Sequence, residues 1–365
     1  MFGVEYSKMK IGIIGLPQTG KKTLFELLTC YKPSEKDLAL NKPIKSLAEI
    51  KDPRFDALVS LYNPKKSVRA RIDIEALPKL EKEALAKGEI FKDIADVDAI
   101  CHVVRAFKND AVYHINGSVD PKRDMDMVNS ELILNDLMFT EKRLERIEQN
   151  LKKINDNTAV KEKALLLKIK SCLDKEMPLR LLSFDKEETK VISSYPFITL
   201  KKMILVINVS EDDIKNVEFI ERIKSEYQAL QVNVMSVSAK LEAEIAHLES
   251  DRERDEYLKA LGIAEPAIDS LTRLCMKALN LISFFTVGPD EVRQWMVRVG
   301  SPAPTAAGVI HTDLERGFIR AEVMKYDDLA AMGDEAKVKA AGKYYIKGKD
   351  YIVEDGDILS IRFNV

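Results

Sequence analysis

Gly15-Leu16-Pro17-Gln18-Thr19-Gly20-Lys21-Lys22-Thr23 follows directly on the apolar run Lys10-Ile11-Gly12-Ile13-Ile14 and leads into Thr23-Leu24-Phe25-Glu26-Leu27-Leu28. The first run reads as a short buried strand and the last as a helix. The turn between them therefore has the strand–loop–helix context that gives G-x-x-x-x-G-K its meaning. In that context backbone N–H groups and the helix N-terminus face an anion, and Lys21 reaches the terminal phosphates of a nucleotide. The next position should be Ser or Thr, whose hydroxyl ligates Mg²⁺. Here it is Lys22, an ammonium with no lone pair to offer a metal. The spacing predicts an intact phosphate cradle, contributed by Gly15, Gln18, Thr19, Gly20, Lys21, Lys22 and Thr23, with its metal ligand gone.

At 365 residues the chain has room for two or three domains and a substantial core. Charged residues make up 32%, yet the formal net charge is only −2, which argues against holding nucleic acid by bulk charge. Cys30, Cys101, Cys172 and Cys275 are widely separated and form no C-x-x-C pair, so neither a disulfide framework nor a zinc site is expected. Cys30, near the loop, reads as core packing. No apolar run approaches the ~18 residues of a membrane span, and Met1–Lys10 lacks the apolar stretch of a signal peptide. A cytoplasmic protein is expected.

Strand and helix signals alternate along the chain. Val68–Ile74 has period two, Asp98–Arg105 is a compact apolar strand, and Met203–Asn208 is another. Asp213–Leu230 reads as a helix and precedes the strand-like Val232–Val237. Such alternation predicts an α/β fold with a doubly wound, mostly parallel sheet. From Asn129 to Glu176 there is no glycine or proline. There the seam Leu144, Ile147, Leu151, Ile154 faces a stripe at Leu165, Ile169, Cys172, predicting an antiparallel helical arm that turns at Asn155-Asp156-Asn157. Beyond Ile282 the pattern shifts to strands at Phe284–Val287, Gly308–His311, Phe318–Val323 and Ile358–Phe363, with Tyr326–Ala341 helical, a small α+β module.

The order of these pieces, with several local strings, resembles the YchF/Obg-like ATPase family of translation-factor-class P-loop proteins. The likeness rests on Asp98-Ala-Ile-Cys-His-Val-Val-Arg-Ala-Phe107, Asn116-Gly-Ser-Val-Asp-Pro121, Phe284-Phe-Thr-Val-Gly-Pro-Asp-Glu-Val-Arg-Gln-Trp295 and Ala306–Val323, and on the terminal Arg362-Phe-Asn-Val365. It spans nearly the whole chain. The resemblance implies a P-loop nucleotide-binding domain over residues 1–128 and 196–281, a helical coiled-coil insertion over 129–195, and a β-grasp-like TGS domain over 282–365. It also implies ATP as ligand, with GTP weaker, because the guanine-reading N-K-x-D is replaced by N-x-x-E. That string here is Asn208-Val209-Ser210-Glu211. Adenine lacks the paired donors that an aspartate at the fourth position would accept from guanine. Ser238-Ala239-Lys240 resembles the motif whose backbone approaches the base, and it reads equally as a strand end followed by a helix cap.

Four places depart from the family pattern at the metal and γ-phosphate. Lys22 is one. The first-switch T-I-x-P string corresponds to Leu40-Asn41-Lys42-Pro43, which keeps the proline and loses the hydroxyl. D-x-x-G becomes Asp73-Ile74-Glu75-Ala76. Asp73 remains the candidate metal-side carboxylate, Ala76 restricts a turn that glycine would leave free, and Glu75 is expected to bring negative charge near the phosphates. The glycine-rich second switch becomes Pro78–Lys87, which reads as a charged helix favouring one conformation.

Because phosphoryl transfer depends on positioning and metal, no catalytic base is assigned and Mg²⁺ is not expected as a firm cofactor. Lys22 can instead stand in for the metal and neutralise the phosphates itself. Two functions compete. One is an ATP-binding, ribosome-associated protein with weak or lost hydrolysis. The other is a nucleotide-independent pseudo-NTPase adaptor that binds ribosome or RNA through its arm and TGS domain. Either way the resemblance implies the ribosome or ribosomal RNA as partner; no membrane partner, no DNA sequence readout and a monomeric chain are expected.

Overall fold

The computed structural model describes residues 9–81, 84–85, 88–109, 111–153, 156–248 and 250–364. The chain divides into two compact units.

The first unit comprises residues 10–46 and 74–268. Its strands belong to a six-stranded sheet. In chain order these are β1 (Lys10–Ile14), β2 (Ile44–Glu49), β4 (Arg71–Ala76), β5 (Ala99–Arg105), β6 (Lys202–Asn208) and β7 (Val232–Val237). The sheet order is β2-β4-β1-β5-β6-β7, and β1–β5, β5–β6 and β6–β7 pair in parallel. Strands covered on both faces read as continuous apolar runs. Accordingly, every residue of β5 is buried, as is every residue of β6 after Lys202. The doubly wound α/β expectation holds.

The arm is a helix Pro121–Leu151, capped by Asp120 with proline in its first turn, and a second helix Asn157–Leu173 capped by Asp156. Leu144, Ile147, Leu165, Ile169 and Cys172 form its buried seam as the spacing predicts, with Leu151 packed against it. Ile154 and Asn155 lie outside the described residues. At the root of the arm Asp136 is fully buried and accepts from the Ile198 and Thr199 N–H groups and the Thr199 hydroxyl at 2.7–3.0 Å. Desolvation raises its pKa. The segment Asp213–Leu230 is not one helix: a 3₁₀ turn Asp212–Lys215 gives way to a helix Val217–Gln228, restarted by the Asn216 side chain accepting from Phe219 N–H. The charged helix expected over Pro78–Lys87 falls partly outside the described residues; Ala84 and Leu85 are helical.

The second unit comprises, among the described residues, Met9, 47–73 and 269–364. Its sheet contains β3 (Lys66–Val68), β8 (Leu281–Thr286), β9 (Glu291–Arg298), β10 (Phe318–Lys325), β11 (Tyr345–Lys347) and β12 (Asp357–Phe363), in the order β11-β10-β12-β8-β9-β3. Helices Tyr326–Met332 and Glu335–Ala340 fill the stretch expected to be helical.

Two expectations are corrected. Gly308–His311 is the end of a helix Ala303–Ile310, not a strand. The small side chains of Ala303, Ala306 and Ala307 are fully buried there, and a Cβ on Gly308 would lie 2.6 Å from the Glu315 carboxylate. Close packing of small residues, which the apolar V-I pair disguised, sets that helix. Val68–Ile74 is likewise not one strand. Val68 pairs with β9, whereas β4 begins at Arg71 in the other sheet. At the break, Ala70 donates to the Gln294 side chain and accepts from Ile50 N–H. The backbone leaves one ladder without losing its hydrogen bonds.

Candidate nucleotide-binding site

Lys10–Ile14 ends at the C-terminal edge of the sheet, and Gly15–Gly20 turns there into the helix Lys21–Thr29. Gln18 and Gly20 have positive φ of 62° and 89°. Gly20 has a second reason to be glycine, since a Cβ would lie 2.2 Å from Asn208 Nδ2. A Cβ at Gly15 would lie 2.7 Å from the Val103 carbonyl. No side chain caps the helix, so its first N–H groups are left to an anion. The Thr19 hydroxyl is buried and donates to Leu16 O.

Asn208, at the end of β6, braces the loop. Its Nδ2 donates to Thr19 O at 2.9 Å and its Oδ1 accepts from Ala239 N–H at 3.0 Å. The carboxamide thus joins the phosphate loop to the Ser238-Ala239-Lys240 turn. Ser238 caps the helix Ala239–Ala246, its hydroxyl accepting from Leu241 N–H. The helix-cap reading of that string is met. Glu211, the fourth residue of the N-x-x-E string, pairs with Lys240 at 2.6 Å.

Two cavities flank the loop. One, of about 860 Å³, is lined by Gly20, Thr23, Asn208, Val209, Glu211, Ser238, Ala239 and Lys240, joined by Phe107-Lys108-Asn109, Glu244 and His247. The other, of about 500 Å³, is lined by Leu16–Thr23 and by Asp37, Asn41, Lys42, Ala76, Leu77, Pro78, Lys79 and Glu81. Every loop residue expected from the sequence except Gly15 lines one or both. Gly15 sits behind, shaping the turn.

Lys21 points into the second cavity's wall. Its ammonium donates to Leu77 O and to Pro78 O. Burial, followed by repulsion from Lys79, pushes it down to about 7. Lys22 is half-exposed, 3.6 Å from Glu26. Asp73 lies on β4 and lines neither cavity. Glu75 is corrected: it is buried in ion pairs with Lys45 at 3.1 Å and Lys10 at 3.6 Å and also lines neither cavity. Cys30 is corrected too, being exposed at the end of the first helix with φ 52°.

Sequence reasoning missed Lys42 and Lys79 as cavity residues, having read the first-switch string only for a missing hydroxyl. It missed Phe107–Asn109 as well. Their signal was position: they follow β5 at the carboxyl edge of the sheet, where ligands of open α/β folds bind.

The donors present do not fit the Mg²⁺ that P-loop chemistry implies. The loop position that would ligate the metal carries the Lys22 ammonium, which has no lone pair to give it. The second cavity presents four lysines, Lys21, Lys22, Lys42 and Lys79, against the carboxylates Asp37 and Glu81. Asp37 is engaged with the Ser34 and Tyr31 hydroxyls and the Ser34 N–H.

The comparisons with known proteins agree over the full chain. It is 40% identical to the ribosome-binding ATPase YchF of Haemophilus ducreyi over 363 residues, covering 98% of this chain and 99% of that one. It is also 38% identical to Obg-like ATPase 1 of Caenorhabditis elegans, covering 98% and 93%. The chain belongs to the YchF/Obg-like ATPase family. The YchF GTPase structure from Schizosaccharomyces pombe superposes with a TM-score of 0.82 at 31% identity, covering 99% of this chain and 100% of that one. A family model described as YchF-GTPase_C, a protein of unknown function (DUF933), matches residues 281–364. The P-loop α/β fold, the helical arm and the C-terminal mixed sheet are thus those of a YchF-type protein, and no described helix is long and apolar enough to cross a membrane.

Proposed function

We propose that this YchF-type chain binds ATP between its phosphate loop and the Asn208–Glu211 and Ser238–Lys240 turns, and that it acts at ribosomes with weak or lost hydrolysis. The observation that carries this is the asymmetry of the site. The elements that hold a nucleotide are complete: an uncapped helix N-terminus, a glycine-shaped loop and the Asn208 brace. The two hydroxyls that would place Mg²⁺ are replaced, by Lys22 in the loop and by Leu40 in the first-switch string. Metal neutralising the developing charge supplies much of phosphoryl-transfer catalysis, so its loss removes turnover before it removes binding. The ribosome enters from the names of the relatives, ribosome-binding ATPases. The division of labour follows the resemblance: nucleotide over 1–128 and 196–281, an arm over 129–195, and a TGS domain over 282–365. Glu211, tied to Lys240, is not presented as a free acceptor for guanine, which supports ATP over GTP. Calorimetric titration of ATP and GTP into wild type and Lys21→Ala, with ATP turnover and ribosome pelleting alongside, tests the reading. ATP binding lost in the variant, with turnover equal in the two proteins, is expected. Turnover well above the variant's would refute the loss of hydrolysis.

A second reading, a nucleotide-independent adaptor, is favoured by one observation. The Lys21 ammonium is satisfied by the Leu77 and Pro78 carbonyls, a self-contained arrangement that needs no phosphate. Ribosome pelleting unchanged by ATP, by ADP or by Lys21→Ala would select it.

A further inference from the structure

We propose that Lys22 and Lys42 together stand in for the magnesium ion, so that the cradle takes its nucleoside triphosphate metal-free. The proposal rests on the nucleotide-binding reading above and adds the form of the ligand.

Lys22 occupies the position after the loop lysine, where a hydroxyl would ligate the metal. Lys42 lies two residues beyond Leu40, the position at which the first-switch string would carry the second hydroxyl. The two are separated along the chain, yet both line the same cavity of about 500 Å³ beside the loop. Two hydroxyl ligands are missing, and Lys22 and Lys42 are two of the four lysines that line this cavity. A dication between the outer phosphates supplies two positive charges; two lysines supply the same two, as compact point charges with three donors each.

Both side chains have the freedom this requires. Lys22 is half-exposed and its one ion pair among the described residues is a 3.6 Å pairing with Glu26. Lys42 is exposed and has no ion pair among the described residues. Asn41, with φ 47°, sets the turn that delivers Lys42. The helix Glu35–Ala39 before it is fixed by a Ser34–Asp37 capping box. The Ser34 hydrogen bonds of that box lower the Asp37 pKa and keep it ionised, so the cavity sets four lysines against two carboxylates, an excess of positive charge. Such a field repels a dication and attracts the four negative charges of unchelated ATP.

The test is ATP calorimetry on the full chain in excess MgCl₂ and in EDTA, for wild type and for K22S, K42T and K22S/K42T. Wild type is expected to bind at least as tightly in EDTA as in MgCl₂. Each single change should weaken the EDTA affinity by about tenfold, the worth of one charge-assisted contact. The double variant should bind best with Mg²⁺. Manganese electron paramagnetic resonance on wild type gives a readout independent of any variant: Mn²⁺ should not be immobilised by the ATP-loaded protein. ATP binding by wild type only with Mg²⁺, immobilised Mn²⁺, or a K22S/K42T protein with unchanged EDTA affinity would overturn the metal substitution while leaving nucleotide binding standing. No ATP binding by wild type under either condition would overturn the nucleotide reading and this proposal with it.

Discussion

Three residues set the behaviour of the loop, and each gives a measurable effect. Gly20 is held at φ 89° with Asn208 Nδ2 where its Cβ would be. Gly20→Ala must therefore shift the brace as well as strain the backbone. A loss of about 2–3 kcal/mol of stability is expected, read as a lowered denaturation midpoint, together with abolished ATP binding. Asn208→Ala removes the link between Thr19 O and Ala239 N–H and should cost about 1–3 kcal/mol by leaving buried groups unpaired. Lys21 carries the pH dependence. Its folded pKa of about 7 lies below its ordinary 10.5, so between those values the unfolded chain binds a proton that the folded chain does not. Stability should then rise with pH across that window, by up to about 1.4 kcal/mol per unit, and stay flat below it. Thermal melts from neutral to alkaline pH should lose that component in Lys21→Met. Phosphate restores the charged lysine, so ATP binding above neutrality should take up a proton and weaken as pH rises. Calorimetry in buffers of different ionisation enthalpy reads the proton directly.

Among the elements, the arm was the most legible and the short C-terminal pieces the least. A 3–4–3 seam in a stretch without glycine or proline has one reading, and the buried cluster Leu144, Ile147, Leu165, Ile169 matches it. What fastens the arm's root was not legible. Asp136 sits in a helix that reads as amphipathic, and nothing local marks it as the acceptor for Ile198 and Thr199, more than sixty residues away. Asp136→Ala should strand two buried N–H groups and a hydroxyl. The cost, on the order of 3 kcal/mol, would appear as an earlier denaturant midpoint. The helix Ala303–Ile310 was misread because β-branched Val309 and Ile310 favour strands locally. Burial of three alanines and the tight fit at Gly308 override that preference. The false single strand over Val68–Ile74 shows the same limit from the other side: period two continues through Ala70, while the ladder partners change there.

For the whole molecule, the segment matched by the family model, residues 281–364, is not a complete folding unit. Phe55 and Leu58, from far earlier in the chain, are buried in one cluster with Phe285, Val292, Leu329 and Ile358, and β3 supplies the sheet's last strand. A fragment 281–365 should therefore bind a hydrophobic dye and show poorly dispersed amide resonances, each missing core residue costing about 2–5 kcal/mol. Supplying 47–73 should sharpen the spectrum. The sequence by itself determined the phosphate loop, the parallel sheet, the arm and the family, because these rest on local period and on spacing within a few residues. It also determined that two hydroxyls at the metal position are gone. Only the tertiary structure decided which side chains gather around the loop. Lys42 reaches the loop's cavity, Glu75 turns away into a pair with Lys45, and Asn208 ties two turns together through contacts between residues distant in the chain. Charge at a site is a sum over side chains that only folding brings together.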